Sequence, residues 1–139
     1  MLGIAAANAV LNVLEREPVL EDLARIGTPL LDGVNELISS HDLNDYIHMS
    51  GYPARHFFNF QNDDNDGLLL KSVFQQEALK ENILAAGWHA PSRAHTSDDV
   101  ATSLDVYDRV FKKLAAWVIA GDLAHALDGS QVQSVFRAP

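Results

Sequence analysis

The chain has 139 residues, 47% of them hydrophobic, a formal net charge of −9 at pH 7 and no cysteine. That size supports one domain, residues 1–139, around one modest core, and the acidic balance argues against nucleic acid or an anionic membrane as partner, since binding either relies on Lys and Arg. Without cysteine there are no disulfides, thiolate nucleophiles or Cys-based zinc sites; no apolar run reaches the roughly 20 residues of a membrane span and no secretory leader pattern opens the chain, so a soluble cytoplasmic protein is expected.

Leu2 to Glu17 reads as a helix that opens on small residues, Gly3, Ala5, Ala6 and Ala7, and continues with Val10, Leu11 and Leu14 on one face. Small apolar residues permit close backbone approach, so this segment either packs against further protein or is simply a good helix former on a small core. Val19 to about Ser40 gives a second helix with Leu20, Leu23, Leu30, Val34, Leu37 and Ile38 on its apolar face. Pro29 removes the amide that would bond Arg25, which predicts a kink near Arg25 or two shorter helices. Tyr46 to Ser50 and His56 to Phe60 are short, aromatic-rich and joined through Gly51-Tyr52-Pro53, the pattern of two strands with a tight connection.

Asn62 to Gly67 is a polar strand-to-helix loop, and Leu68 to Asn82 resumes helical spacing through Leu69, Leu70, Val73, Phe74 and Ala78. Gly87 to His95 is bracketed by Gly87 and Pro91 and is expected to pass as an extended segment along the core. Thr96 or Ser97 then caps a long helix, with Asp98 and Asp99 at the positive end of its dipole. Val100, Leu104, Tyr107, Phe111, Leu114 and Val118 form its apolar face. The remainder predicts a short helix around Leu123 to Leu127, a turn at Asp128-Gly129 and a tail anchored by Val132, Val135 and Phe136. Together these elements predict an α+β plate: a small, mostly antiparallel sheet with helices packed on one face.

Candidate chemistry is sparse. Aligning Gly67 to the sixth position of a calcium loop places Val73 where the bidentate Glu belongs, so Asn62 to Asp66 read as a solvated turn. His48, His56, His89 and His95 lack the helical spacing of a zincin motif, and no metal site is expected. Neither a nucleophile elbow nor a Gly-rich phosphate loop occurs.

The segments AANAVLNVLEREPVLEDLARIG, HMSGYPARHFFNF, LKENILAAGWHAP and AHTSDDV, in that order, resemble the C-terminal small domain of class III pyridoxal-phosphate-dependent aminotransferases, closest to the glutamate semialdehyde aminomutase branch. The resemblance covers nearly the whole chain and implies the C-terminal-domain fold of fold-type I pyridoxal-phosphate transferases, which agrees with the plate. It also implies that the cofactor lysine, the aspartate facing the pyridine nitrogen and the phosphate-cradling loop belong to a large domain outside this sequence, against which the small apolar opening helix would pack. Pyridoxal phosphate is thus the cofactor of the complete family enzyme, none is expected on this chain alone, and no catalytic residue is assigned. Lys71, Lys80, Lys112 and Lys113 fall on polar helix faces, where an exposed ammonium is a poor Schiff-base nucleophile.

Two departures affect the substrate side. Trp88 stands where many family members carry a carboxylate-binding arginine, and only Arg93 separates Ala-Pro-Ser from Ala-His-Thr, where the aminomutase branch has a longer acidic insertion. His89, Ser92 and Arg93 are the candidates for lining a substrate cleft in a complete enzyme, against the plainer expectation that Arg93 points to solvent from a turn. The resemblance implies a fragment or small domain of an aminotransferase or aminomutase, inactive alone, with the large domain or a second copy, through the first helix, as its partner. The competing expectations are a stand-alone binding module that keeps the fold without catalysis, and an unrelated small enzyme using His89, Arg93 and His95.

Overall fold

The computed structural model describes residues 2–61 and 67–133. In chain order they form α1 (Leu2–Arg16), α2 (Val19–Ser40), β1 (Ile47–Tyr52), β2 (Arg55–Phe60), α3 (Gly67–Lys80), β3 (Trp88–His89), α4 (Ser97–Ala120) and a 3-10 turn at Leu123–Ala126. The polar loop predicted over 62–66 and the anchors Val135 and Phe136 lie outside the described residues.

The sheet has the order β1-β2-β3 and both pairings are antiparallel. Central β2 shows why helices cover one face: His56 and Phe58 are buried while Arg55 and Phe57, pointing the other way, are exposed. On the covered face Phe58 packs against Phe74 of α3 at 4.8 Å and Tyr107 of α4 at 5.7 Å between ring centroids. Val34 and Ile38 of α2 and Val110, Phe111 and Leu114 of α4 complete one buried cluster. The architecture is α+β with helices packed on one face of a small antiparallel sheet. β3 is shorter than the predicted Gly87 to His95, because beyond His89 the chain leaves the sheet for the turn that leads into α4.

Local chemistry fixes the element ends. The Thr96 hydroxyl accepts from the Asp99 amide at 3.3 Å, and the Asp99 carboxylate accepts from the Thr96 amide at 2.8 Å, a reciprocal cap that starts α4. Gly121, with φ of 66°, ends it in the left-handed conformation. α2 corrects the expectation of two shorter helices: it runs as one element through Pro29. Arg25, Thr28 and Pro29 are exposed, so the carbonyl that loses its amide partner faces water, while buried Ile26, Gly27 and Leu30 hold the opposite side. Gly27 is required there, since a Cβ would fall 1.9 Å from the Pro53 carbonyl oxygen in the β1-β2 turn.

α1 differs from every other helix, because none of its residues is buried. Leu2, Ile4, Val10 and Leu11 are each more than half exposed, and between Leu2 and Leu14 the only polar side chains are Asn8 and Asn12. A helix apolar on most of its circumference belongs in an interior.

Candidate functional site

A cleft of about 340 Å³ opens between α2, the β3 segment and the first turns of α4. Ile26 and Leu30 form its apolar floor, and Trp88, His89, His95 and Asp99 bring polar groups to it. Among the described residues no lysine or arginine lines it.

His89 is the middle of a chain of polar groups drawn from three elements. Its Nδ1 lies 2.8 Å from His56 Nε2 on β2, and its Nε2 lies 2.6 Å from the Tyr107 hydroxyl on α4. His56 and Tyr107 are buried. Burial pushes the pKa of His89 down to about 4, with the neighbouring His56 charge adding to the fall. Burial lowers that of His56 as well, opposed by the nearby backbone carbonyls of Tyr52 and Pro53, and raises that of the Tyr107 hydroxyl. His56 Nδ1 has no partner of good geometry. The proton arrangement that best satisfies the chain has Tyr107 donating to His89, His89 donating to His56, and the His56 Nδ1 proton facing those carbonyls. Near pH 7 the chain is neutral and braces the cleft wall. An imidazole with a pKa near 4 is a weak general base.

Ser92 and Arg93, the other two sequence candidates, are absent from the cleft lining. The Ser92 amide and hydroxyl both donate to His95 Nδ1, at 2.9 and 3.0 Å. That arrangement leaves the His95 proton on Nε2, which has no protein partner among the described residues. Arg93 is exposed, as expected of a turn, but it is also paired: it meets Glu17 and, through Nε, Asp22 at 3.0 Å, tying the turn before α4 to the α1-α2 junction. Partners 71 and 76 residues away are invisible to a local reading of the sequence.

Sequence reasoning missed the buried carboxylate of Glu77, 3% exposed on α3. Its oxygens accept from Lys80 at 2.7 Å and Lys113 at 2.8 Å, with Gln76 at 3.1 Å. Burial pushes its pKa up, but the hydrogen bonds from Lys113, Lys80 and Gln76 and the Lys113 charge outweigh this and hold it at about 2. Lys80 and Lys113 are therefore structural cations rather than free amines on polar faces, and the hydrogen bond to Glu77, followed by that to Asp128, raises the Lys80 pKa. Its one sequence signal was a glutamate on the side of α3 that also carries Val73, Phe74 and Ala78. Among the described residues no cluster of three metal-ligating side chains occurs, and no helix is long and apolar enough to cross a membrane.

No family model matches the chain. Among solved structures it is similar to the FumI protein of Sphingopyxis sp. MTA144 in its PLP internal aldimine form. The two share a fold. The TM-score is 0.67 at 24% identity, over 84% of this chain and 28% of FumI. The α+β plate derived from the sequence is thus found within a pyridoxal-phosphate-bound protein, and this chain spans little more than a quarter of that protein's length.

Proposed function

We infer that this chain acts as the small domain of a class III pyridoxal-phosphate-dependent aminotransferase or aminomutase that works on an amino acid or amino-keto compound. The supporting observation is the fold likeness to FumI, which takes in most of this chain and a minor part of FumI. The motifs quoted above favour the glutamate semialdehyde aminomutase branch, with Trp88 and the short Ala-Pro-Ser-Arg-Ala-His-Thr connection as departures that leave the substrate its own.

In this reading the cofactor is held by a large domain, and α1 is the surface that meets it. The residues here do not fit the cofactor by themselves. Lys80 and Lys113 are engaged by Glu77, and among the described residues the cleft offers imidazoles, a hydroxyl and a carboxylate but no amine to bind the aldehyde and no cation for the phosphate. The chain alone is therefore inactive as a transaminase, and its role is to cover the cofactor cleft and present side chains to the substrate. Alone, it covers α1 by self-association. A non-catalytic binding module is the second reading, favoured by a cleft that residues of this chain line by themselves.

The two separate at the gene. A lysine-bearing domain encoded upstream, in the same reading frame or a neighbouring one, and purifying together with this chain as a yellow protein, is the expected result. Absence of any such upstream coding sequence would leave the binding module.

A further inference from the structure

The sheet face turned away from the helices carries an arrangement that the proposed function does not use. Cross-strand register sets Tyr52 opposite Arg55 and Phe57 opposite Trp88 on that face. The Arg55 guanidinium carbon lies 5.4 Å from the centre of the Phe57 ring and 5.2 Å from that of Trp88. Tyr52 is 80%, Trp88 44% and Phe57 37% exposed, so the group is open to ligand.

Every other arginine of the described residues has an oxygen partner within the chain. Arg16 donates to the Asn12 carbonyl, Arg25 pairs with Asp22, Arg93 with Glu17 and Asp22, and Arg109 with Glu81. Arg55 has none among the described residues, in a chain with 19 acidic side chains against 10 basic ones. A guanidinium held over aromatic rings with no oxygen partner keeps its N–H donors available, and these bind a carboxylate through two parallel hydrogen bonds. The rings also hold the side chain in place, which reduces the ordering cost of binding.

The geometry points to a carboxylate-binding site in which Arg55 anchors the acid and Phe57 and Trp88 flank its apolar body. One guanidinium over two neighbouring rings suits a single planar carboxylate; a phosphate dianion calls for more cationic or amide donors. The site stands on residues of this chain, and only its use as the anchor for an acidic substrate rests on the function proposed above.

Benzoate, with benzamide as its neutral counterpart, tests the site on the full chain, read through the Trp88 indole N–H and the Arg55 Nε–H in nitrogen-edited NMR spectra. Benzoate is expected to shift both signals saturably. Benzamide should bind at least about tenfold more weakly, and Arg55→Gln should weaken benzoate by a similar factor, since a hydrogen-bonded charge is lost in each case. Arg55→Lys keeps the charge without the fork and should fall between. Unchanged amide shifts elsewhere confirm that the variants fold, as expected for an exposed side chain. Equal binding of benzamide, indifference to Arg55→Gln, equal competition by inorganic phosphate, or no saturable shift would each overturn the proposal. Carboxylate binding without a lysine-bearing partner gene would sink the aminotransferase reading alone; a yellow complex without carboxylate binding would sink this site alone.

Discussion

The Tyr107 hydroxyl lies 2.6 Å from His89 Nε2, joining the middle of α4 to the edge strand through a largely buried imidazole. Because the folded pKa of His89 is about 4, below the ordinary 6.5, the stability it contributes is complete above pH 6.5 and is lost as pH falls toward 4. NMR titration should place the His89 midpoint near 4, and a midpoint near 6.5 would contradict the burial argument. Tyr107→Phe removes the partner of His89 Nε2 and should cost about 1–2 kcal/mol in urea unfolding at pH 7.

Glu77 acts in the adjacent window. Its folded pKa of about 2 lies below the ordinary 4.5, so its contribution is present above pH 4.5 and disappears as pH falls through 2. The shift corresponds to about 3 kcal/mol. Glu77→Gln should lose roughly that much at pH 7, and its deficit against wild type should shrink steadily below pH 4.5. A deficit that stays constant between pH 7 and pH 3 would mean the loss is one of packing.

Two helical glycines should respond in opposite ways to alanine. At Gly27 the added Cβ meets backbone, the Pro53 carbonyl, which cannot yield without moving the β1-β2 turn. Gly27→Ala should therefore destabilise by about 1–3 kcal/mol despite the better helix propensity of alanine. At Gly33 the added Cβ meets the Leu104 side chain, its two terminal carbons at 2.6 and 2.8 Å and its Cγ at 3.3 Å. That side chain can rotate, so Gly33→Ala should stay within about 1 kcal/mol of wild type. Urea midpoints of the two variants check the contrast.

What the sequence made legible follows the range of each interaction. The α4 cap lies within four residues, Thr96 to Asp99, and could be read directly. The aromatic, partly alternating pattern of β2 announced a strand, while its buried face and its pairing with both β1 and β3 are seen in the structure. Glu77 and Lys113 are 36 residues apart, and Arg93 reaches Glu17 across 76, so neither pair leaves a local pattern. For the same reason His56, His89 and Tyr107 could be listed as residues but not as one chain. Of the two expectations raised by Pro29, a kink or two shorter helices, the second fails because the cost of a helix proline depends on which side faces water. Of the three cleft candidates, the structure places His89 on the cleft wall, Ser92 on His95 behind it, and Arg93 at the α1-α2 junction.

The exposed face of α1 predicts concentration-dependent association of the isolated chain. Val10 and Leu14 line an apolar groove with Ala9, Val13 and Val19, and each fully buried aliphatic side chain is worth about 1.5–3 kcal/mol. Sedimentation should show species larger than a monomer as concentration rises, and Val10→Glu with Leu14→Glu should restore the monomer without loss of helix content. A wild-type monomer at every concentration, with no binding of an apolar-surface dye, would count against α1 as an interface.

The most direct measurement is a spectrophotometric titration of the purified chain with pyridoxal phosphate, with an amino acid then added. The expected result is no stoichiometric band of bound cofactor and no turnover, with at most slow, unselective reaction of exposed lysines. A stoichiometric band abolished by replacing just one of Lys71, Lys80, Lys112 or Lys113, together with conversion of the amino acid, would contradict the assignment of this chain as a small domain that depends on another for its cofactor.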